Sequence, residues 1–190
     1  MAIDSHATTT SNATDSRSGG WSSRRIAVTA LFTAIAIVAN FIEFPIFPAA
    51  AWLKYDPSGI VCLVSGLVFG PATGLVVSVL SCVRILFGNP WGALMAVIAS
   101  VSLTVPAAAI YRRRRTRGAA LAGMAVSAVV CLALCIVANI IVTPLYTGMP
   151  TEAVIALIVP ALLPFNLLKI AINCVVSFLV YGTVERIVER

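Results

Sequence analysis

Asn166, Lys169 and Asn173 fall at positions i, i+3 and i+7 of Phe165 to Tyr181, an apolar stretch long enough to cross a bilayer, and share one face if that stretch is helical. A lysine in hydrocarbon costs roughly 2.5 to 3.5 kcal/mol on the insertion scale, so it belongs against a protein interior or a cavity. An ammonium offers three donors and an amide both donates and accepts, which suits recognition of carbonyls and ring nitrogens on a ligand. The competing reading is a lysine snorkelling from a helix end, with amides that hold helices together. Groups for catalysis are missing: the apolar segments hold no paired carboxylates, no Cys-His couple and no phosphate-binding loop. The expected catalytic set is therefore empty and the chain is read as a non-enzyme.

Other polar residues in apolar surroundings are Asn40, Glu43, Arg84 and Asn139. Arg84 and Glu43 suit either a structural ion pair or ligand contact. The five cysteines, Cys62, Cys82, Cys131, Cys135 and Cys174, all lie in apolar segments and their odd number offers no disulfide framework. Cys131 and Cys135 share a helix face, but with His6 the only histidine no metal site is expected.

These groups must be positioned by membrane-spanning helices. The chain is 60% apolar and 11% charged, with a mean hydropathy of +1.02, far from the composition of soluble domains. Its net charge of +6 does not mark a nucleic-acid partner, because the basic residues are placed as a topology signal. They cluster at Arg17, Arg24 and Arg25, at Arg112 to Arg115 with Arg117, and at Arg186 and Arg190. Residues 1–23 are poor in apolar surface and read as a disordered cytoplasmic tail, with residues 24–190 as the membrane domain. The apolar run after Arg25 continues to Phe44 and reads as a span, not a cleaved leader.

The expected spans are Ile26 to Phe44, Gly59 to Phe69, Ala72 to Phe87, Trp91 to Tyr111, Ala119 to Thr143 and Phe165 to Val184. As one helix, Gly59 to Phe87 would run roughly 43 Å at 1.5 Å per residue, against a hydrocarbon core of about 30 Å. Gly70-Pro71 supplies a break, and with six spans all three basic clusters lie on one side. The expectation is an all-α membrane protein, a six-transmembrane-helix bundle in a prokaryotic plasma membrane with both termini cytoplasmic. Asn40, Glu43, Arg84, Asn139, Asn166 and Lys169 then share the outer leaflet, which predicts a ligand pocket open to the outside. Phe47, Trp52, Leu53 and Tyr55 in the first outer loop suit either a cap over a ligand or an interfacial belt. Pro144, Pro150, Pro160 and Pro164 predict interrupted helix, with Glu152 to Leu163 as a short surface element.

Several runs resemble one family: Trp52-Leu53-Lys54-Tyr55-Asp56, Phe69-Gly70-Pro71 followed by Gly74, Asn139 followed by Pro144-Leu145-Tyr146, and Leu163-Pro164-Phe165-Asn166-Leu167-Leu168-Lys169. In order and spacing the chain resembles the substrate-binding S components of energy-coupling factor (ECF) vitamin transporters, and most closely their riboflavin-specific members, over about residues 24 to 184. The resemblance implies a six-helix bundle that binds its vitamin at the outer face, with Asn139, Asn166 and Lys169 at the flavin pocket; Trp52, Leu53, Tyr55 and Asp56 of the outer loop are expected as ligand-binding residues with them. It also implies a transmembrane T component and two ATPase subunits that use ATP, with riboflavin as transported ligand and no cofactor of the chain's own. Ala30 and Ala34 match small residues on helix 1 that meet the transmembrane partner. The chain departs from riboflavin members at Gly92-Ala93-Leu94-Met95-Ala96, where they usually carry Gly-Glu-Leu-Ala-Asn. That departure keeps thiamin, pantothenate, folate or another heterocycle as alternative ligands. An autonomous secondary transporter is the remaining alternative, but it would favour midplane ionisable groups and repeated halves, and neither is evident.

Overall fold

The computed structural model describes residues 21–46 and 53–188. Of the sequence expectations, the tail up to residue 20, Phe47 and Trp52 lie outside the described residues. The chain forms α1 (Ser23–Ala39), a two-residue antiparallel pair β1 (Phe44–Pro45) and β2 (Lys54–Tyr55), then α2 (Ser58–Phe69), α3 (Pro71–Ser81), α4 (Val83–Gly88), α5 (Pro90–Arg114), α6 (Arg117–Thr147), α7 (Thr151–Ala156), a π-helical turn (Ile158–Leu162) and α8 (Leu163–Val188). Four continuous or nearly continuous helical segments, Pro71–Gly88, Pro90–Arg114, Arg117–Thr147 and Ile158–Val188, are long and apolar enough to cross a membrane. Ser58–Phe69 is a shorter apolar helix.

Local chemistry sets the boundaries. Ser22, Asn89 and Thr116 accept hydrogen bonds from Arg25, Gly92 and Ala119 backbone N–H groups, capping α1, α5 and α6. Gly70 has φ +94°, a conformation that suits glycine, and Pro71 opens α3, so the expected break falls between α2 and α3. The turn brings α3 back against α2. Gly66 and Gly74 meet there, and a Cβ on Gly74 would lie 2.7 Å from Gly66 Cα and 2.6 Å from Thr104 Cγ2 on α5. Glycine thus permits a three-helix contact that a side chain would wedge apart.

The first span was drawn to Phe44, but α1 ends at Ala39, because Asn40 turns inward and donates from Nδ2 to Ser81 O at 2.8 Å. Phe44 then enters the strand pair. Pro144 is expected to break regular helix just after the fifth span, yet α6 runs through it to Thr147. Proline removes one donor, and hydroxyls in the last turns add local bonds, with Thr143 donating to Asn139 Oδ1 at 3.0 Å and Thr147 to Thr143 O at 2.7 Å. The stretch Glu152 to Leu163 forms the expected short element before α8, with Glu152, Ile155, Val159 and Pro160 exposed, and its inner face buries Val154, Ala161 and Leu162 in one cluster with Leu53, Tyr55 and Phe165. Its register change shows in Ala161 and Leu162, whose N–H groups both reach Leu157 O.

The main core joins Leu63, Leu67, Leu103, Met124, Ile170 and Tyr181 from α2, α5, α6 and α8. Outward-facing positions are also apolar, including Leu31, Val38, Val129, Ile141 and Leu179. That apolar outer surface suits helices solvated by lipid rather than water. At one end of the bundle, Arg24 donates to Val188 O, Arg25 to Thr73 and the Tyr111 hydroxyl to Glu185. Glu43, Arg84, Asn139, Asn166 and Lys169 gather at the other end, with Asn40 bonded to Arg84 beside them.

Candidate functional site

A cavity of about 430 Å³ opens at that other end, bounded by the β2–α2 junction, the α4–α5 turn, the last turns of α6 and the first turns of α8. Asn166 and Lys169 reach it from α8 and Asn139 from α6, so two different helices bring together three groups expected to act together. Each amide uses one N–H on its own helix: Asn139 Nδ2 donates to Cys135 O and Asn166 Nδ2 to Leu162 O, both at 2.7 Å. An amide nitrogen has two hydrogens, so the bond to the helix fixes the side chain while keeping a donor for a ligand.

Lys169 Nζ donates to Asp56 Oδ2 at 3.1 Å, and both side chains are largely buried. Asp56 Oδ1 accepts from the Ser58 backbone N–H at 3.1 Å and also from the Ser58 hydroxyl, which tethers the carboxylate at the start of α2. Burial alone would push this carboxyl up, but the Lys169 charge and the Ser58 bonds together outweigh it and hold it below the ordinary aspartate range. The ammonium therefore has its counter-charge inside the protein, and a neutral polar ligand can bind beside it without bringing an anion.

At the rim, Glu43 bridges two cations, with Lys54 Nζ at 3.0 Å and an Arg84 guanidinium nitrogen at 3.2 Å. The Lys54 hydrogen bond, aided by the charges of both cations, outweighs burial and keeps Glu43 below its usual range. Arg84 also donates to Asn40 O at 2.6 Å, so it holds the end of α1 as well as lining the cavity. Asn40 itself is spent on the bond to Ser81 and does not line the cavity.

Leu53 lines the cavity, whereas Tyr55 points behind it, packing edge-on against Phe44 and reaching Asn173 Oδ1 at 3.4 Å. Asn173 lies below the main cavity, beside a smaller space of about 20 Å³. Ala30 and Ala34 are exposed on the outer face of α1, away from the cavity. Sequence reasoning missed the α5 part of the lining, where Gly92, Met95, Ala96 and Ala99 border the cavity. Their signal was legible: small or flexible apolar residues at helical spacing leave room for a flat surface. Tyr146 and Ile85 were also missed.

A helical bundle with an apolar exterior and a ligand-sized cavity at one end, lined by both polar and apolar side chains, is a membrane protein built to hold a small molecule. The chain belongs to the family described as "ECF transporter, substrate-specific component", whose model matches residues 24–181. This is a family of transporter substrate-binding components and not a class of enzymes. The chain is 29% identical to "Riboflavin transporter RibU" of Staphylococcus aureus (strain TCH60) over 176 residues, covering 88% of this chain and 93% of that one. It is 23% identical to "Riboflavin transporter FmnP" of Bacillus subtilis (strain 168) over 180 residues, covering 88% and 95%. Among solved structures it is similar to a chain described under "Structure and mechanism of the S component of a bacterial ECF transporter", with a TM-score of 0.77, 26% identity and coverage of 88% and 98%.

Proposed function

We propose that this chain is the riboflavin-binding S component of an ECF importer, capturing the vitamin at the outer membrane face for uptake driven by a T component and two ATPase subunits. The observation that carries the reading is the mixed lining of one cavity: Asn139, Asn166 and Lys169 border the same space as the apolar side chains of Met95, Ala96 and Ala99. An isoalloxazine ring has a planar apolar face and an edge of carbonyls and ring nitrogens. Its face fits the α5 wall, and its polar edge fits the amides and ammonium. A volume of about 430 Å³ lies within the usual range for small-molecule sites. Both named relatives are riboflavin transporters. Burial of the ring supplies most of the affinity, at about 25 cal/mol for each Å² removed from water, and the polar groups supply orientation.

In this reading α1 and α2 join the four longer helical segments as six crossings. The basic end faces the cytoplasm under the positive-inside rule, which turns the cavity outward. Ala30 and Ala34 meet the T component on the exposed face of α1, where small side chains allow close helix approach. The test is purification without added ligand, followed by absorption spectroscopy and riboflavin fluorescence titration. A co-purifying isoalloxazine band, or tight saturable quenching, is the expected result. A folded protein that neither carries nor binds the flavin would overturn the ligand assignment.

A further inference from the structure

Cys131 and Cys135 stand one turn apart on α6, both buried, with their sulfur atoms 3.8 Å apart. Cys131 Sγ also donates to Ala99 O of α5 at 3.4 Å, which aims the thiol at the α5–α6 seam. Cys135 lines the main cavity, and both cysteines line the smaller space that continues beneath it toward Asn173. The ligand contacts proposed above use neither thiol.

Geometry narrows what such a pair can do. Residues four apart on a helix have Cβ atoms about 5–6 Å from each other, whereas a disulfide needs about 3.5–4.5 Å, so direct oxidation would require the helix to unwind. One atom bonded to both sulfurs spans a wider gap than an S–S bond. Among the described residues no group of three His, Cys, Asp or Glu side chains could hold a metal ion, which removes the ligand set of a four-coordinate zinc site. The remaining match is a soft centre content with two sulfur ligands.

We infer that Cys131 and Cys135 form a dithiol site for trivalent organoarsenicals, reached through the ligand cavity. With phenylarsine oxide both S–H protons leave with the arsenical oxygen as water, two As–S bonds form and the As–O bonding is lost. Arsenic stays trivalent and nothing is oxidised or reduced. The phenyl group occupies the third valence and extends into the main cavity of about 430 Å³ that Cys135 lines.

The test uses the full chain in detergent, treated with equimolar phenylarsine oxide and read by intact mass. The expected product is one phenylarsenic group per chain in place of two hydrogens, released by 2,3-dimercaptopropanol and resistant to 2-mercaptoethanol. Cys131→Ala and Cys135→Ala should each abolish that dithiol-specific adduct, while Cys62→Ala and Cys174→Ala retain it. No adduct on the folded wild type, or an equally stable adduct on Cys131→Ala, would overturn the site. Saturating riboflavin should slow adduct formation several-fold, and an unchanged rate in a protein that demonstrably binds riboflavin would overturn the route through the cavity. That arm rests on the proposed ligand, but the mass measurement does not: a protein that takes the adduct yet never quenches riboflavin fluorescence refutes the flavin reading and leaves the dithiol site standing.

Discussion

Lys169 Nζ lies 3.1 Å from Asp56 Oδ2, an ion pair that ties the second turn of α8 to the junction between the strand pair and α2. The pair borders the cavity, so Lys169 serves the fold and remains placed to donate to a ligand. Lys169→Ala should weaken riboflavin binding by about 1 to 3 kcal/mol, the scale of losing a charge-assisted bond, or roughly 5-fold to 150-fold. Lys169→Arg should restore it only in part, since a planar fork does not replace a compact ammonium. Fluorescence quenching titrations of the three proteins decide this. Unchanged affinity in folded Lys169→Ala would assign the lysine to the ion pair alone.

Asp56 predicts an acid limit to stability. Its carboxyl is held below the ordinary value near 3.8, so the folded protein binds that proton less readily than the unfolded chain. The corresponding stabilisation is present in full above the unfolded value and is lost as pH falls through the folded one. Asp56→Asn should unfold at lower temperature than wild type at neutral pH, and the gap should narrow as the pH drops below 3.8. Parallel thermal melts check this; a gap that widens with acid would contradict the linkage.

The polar stripe of α8 was legible in sequence because an ammonium and two amides in an apolar segment have few ways to be satisfied, and helical spacing puts them on one face. The break at Gly70-Pro71 was legible for an equally local reason, a missing Cβ followed by a missing N–H. The partners of those groups were less so. Asp56 meets Lys169 across 113 positions of chain, a pairing no local pattern encodes. Tyr55 was expected near the ligand, yet alternation along β2 sends it behind the cavity while its neighbour Lys54 reaches the rim. Pro144 does not end α6 because hydroxyls such as Thr143 and the neighbouring helices accommodate a proline there, which helix propensity alone does not encode.

Gly74 tests the close contact of α2, α3 and α5. A methyl group there would meet Gly66 Cα, which is backbone and cannot swing aside, as well as Thr104 Cγ2. Gly74→Ala should destabilise the bundle by about 1–3 kcal/mol, the usual range for overpacking. Gly182→Ala, where a Cβ meets nothing within 4 Å inside α8, is the matched control and should melt at or slightly above wild type, since alanine favours a helix over glycine. Equal melting of the two variants would mean that the three helices have room to separate at little cost.

Lys54 and Arg115 lie at opposite ends of the bundle, and both are exposed. In a cysteine-free background, Lys54→Cys should react with an impermeant maleimide from outside intact cells. Arg115→Cys should react only after the membrane is opened. Ser58 is unsuitable for this purpose because it is buried against Asp56. Labelling of both positions from the same side would refute the six-crossing topology and the outward cavity together.

Ala30→Trp tests whether ligand capture and energy coupling use separate faces of the chain. It is exposed on α1 beside Ala34, far from every residue that lines the cavity, so a bulky substitution there leaves the binding wall untouched. Ala30→Trp should keep wild-type riboflavin affinity but reduce uptake in liposomes that also contain a T component, two ATPase subunits and ATP, because close helix approach depends on small side chains. Wild-type protein alone in ATP-loaded liposomes should bind without accumulating, since the chain has no phosphate-binding loop of its own. Co-purification of the T component with each S-component variant then locates the defect. Lost uptake together with lost complex assembly supports the α1 face as the contact, whereas lost affinity with intact assembly would move Ala30 from the partner surface to the ligand site.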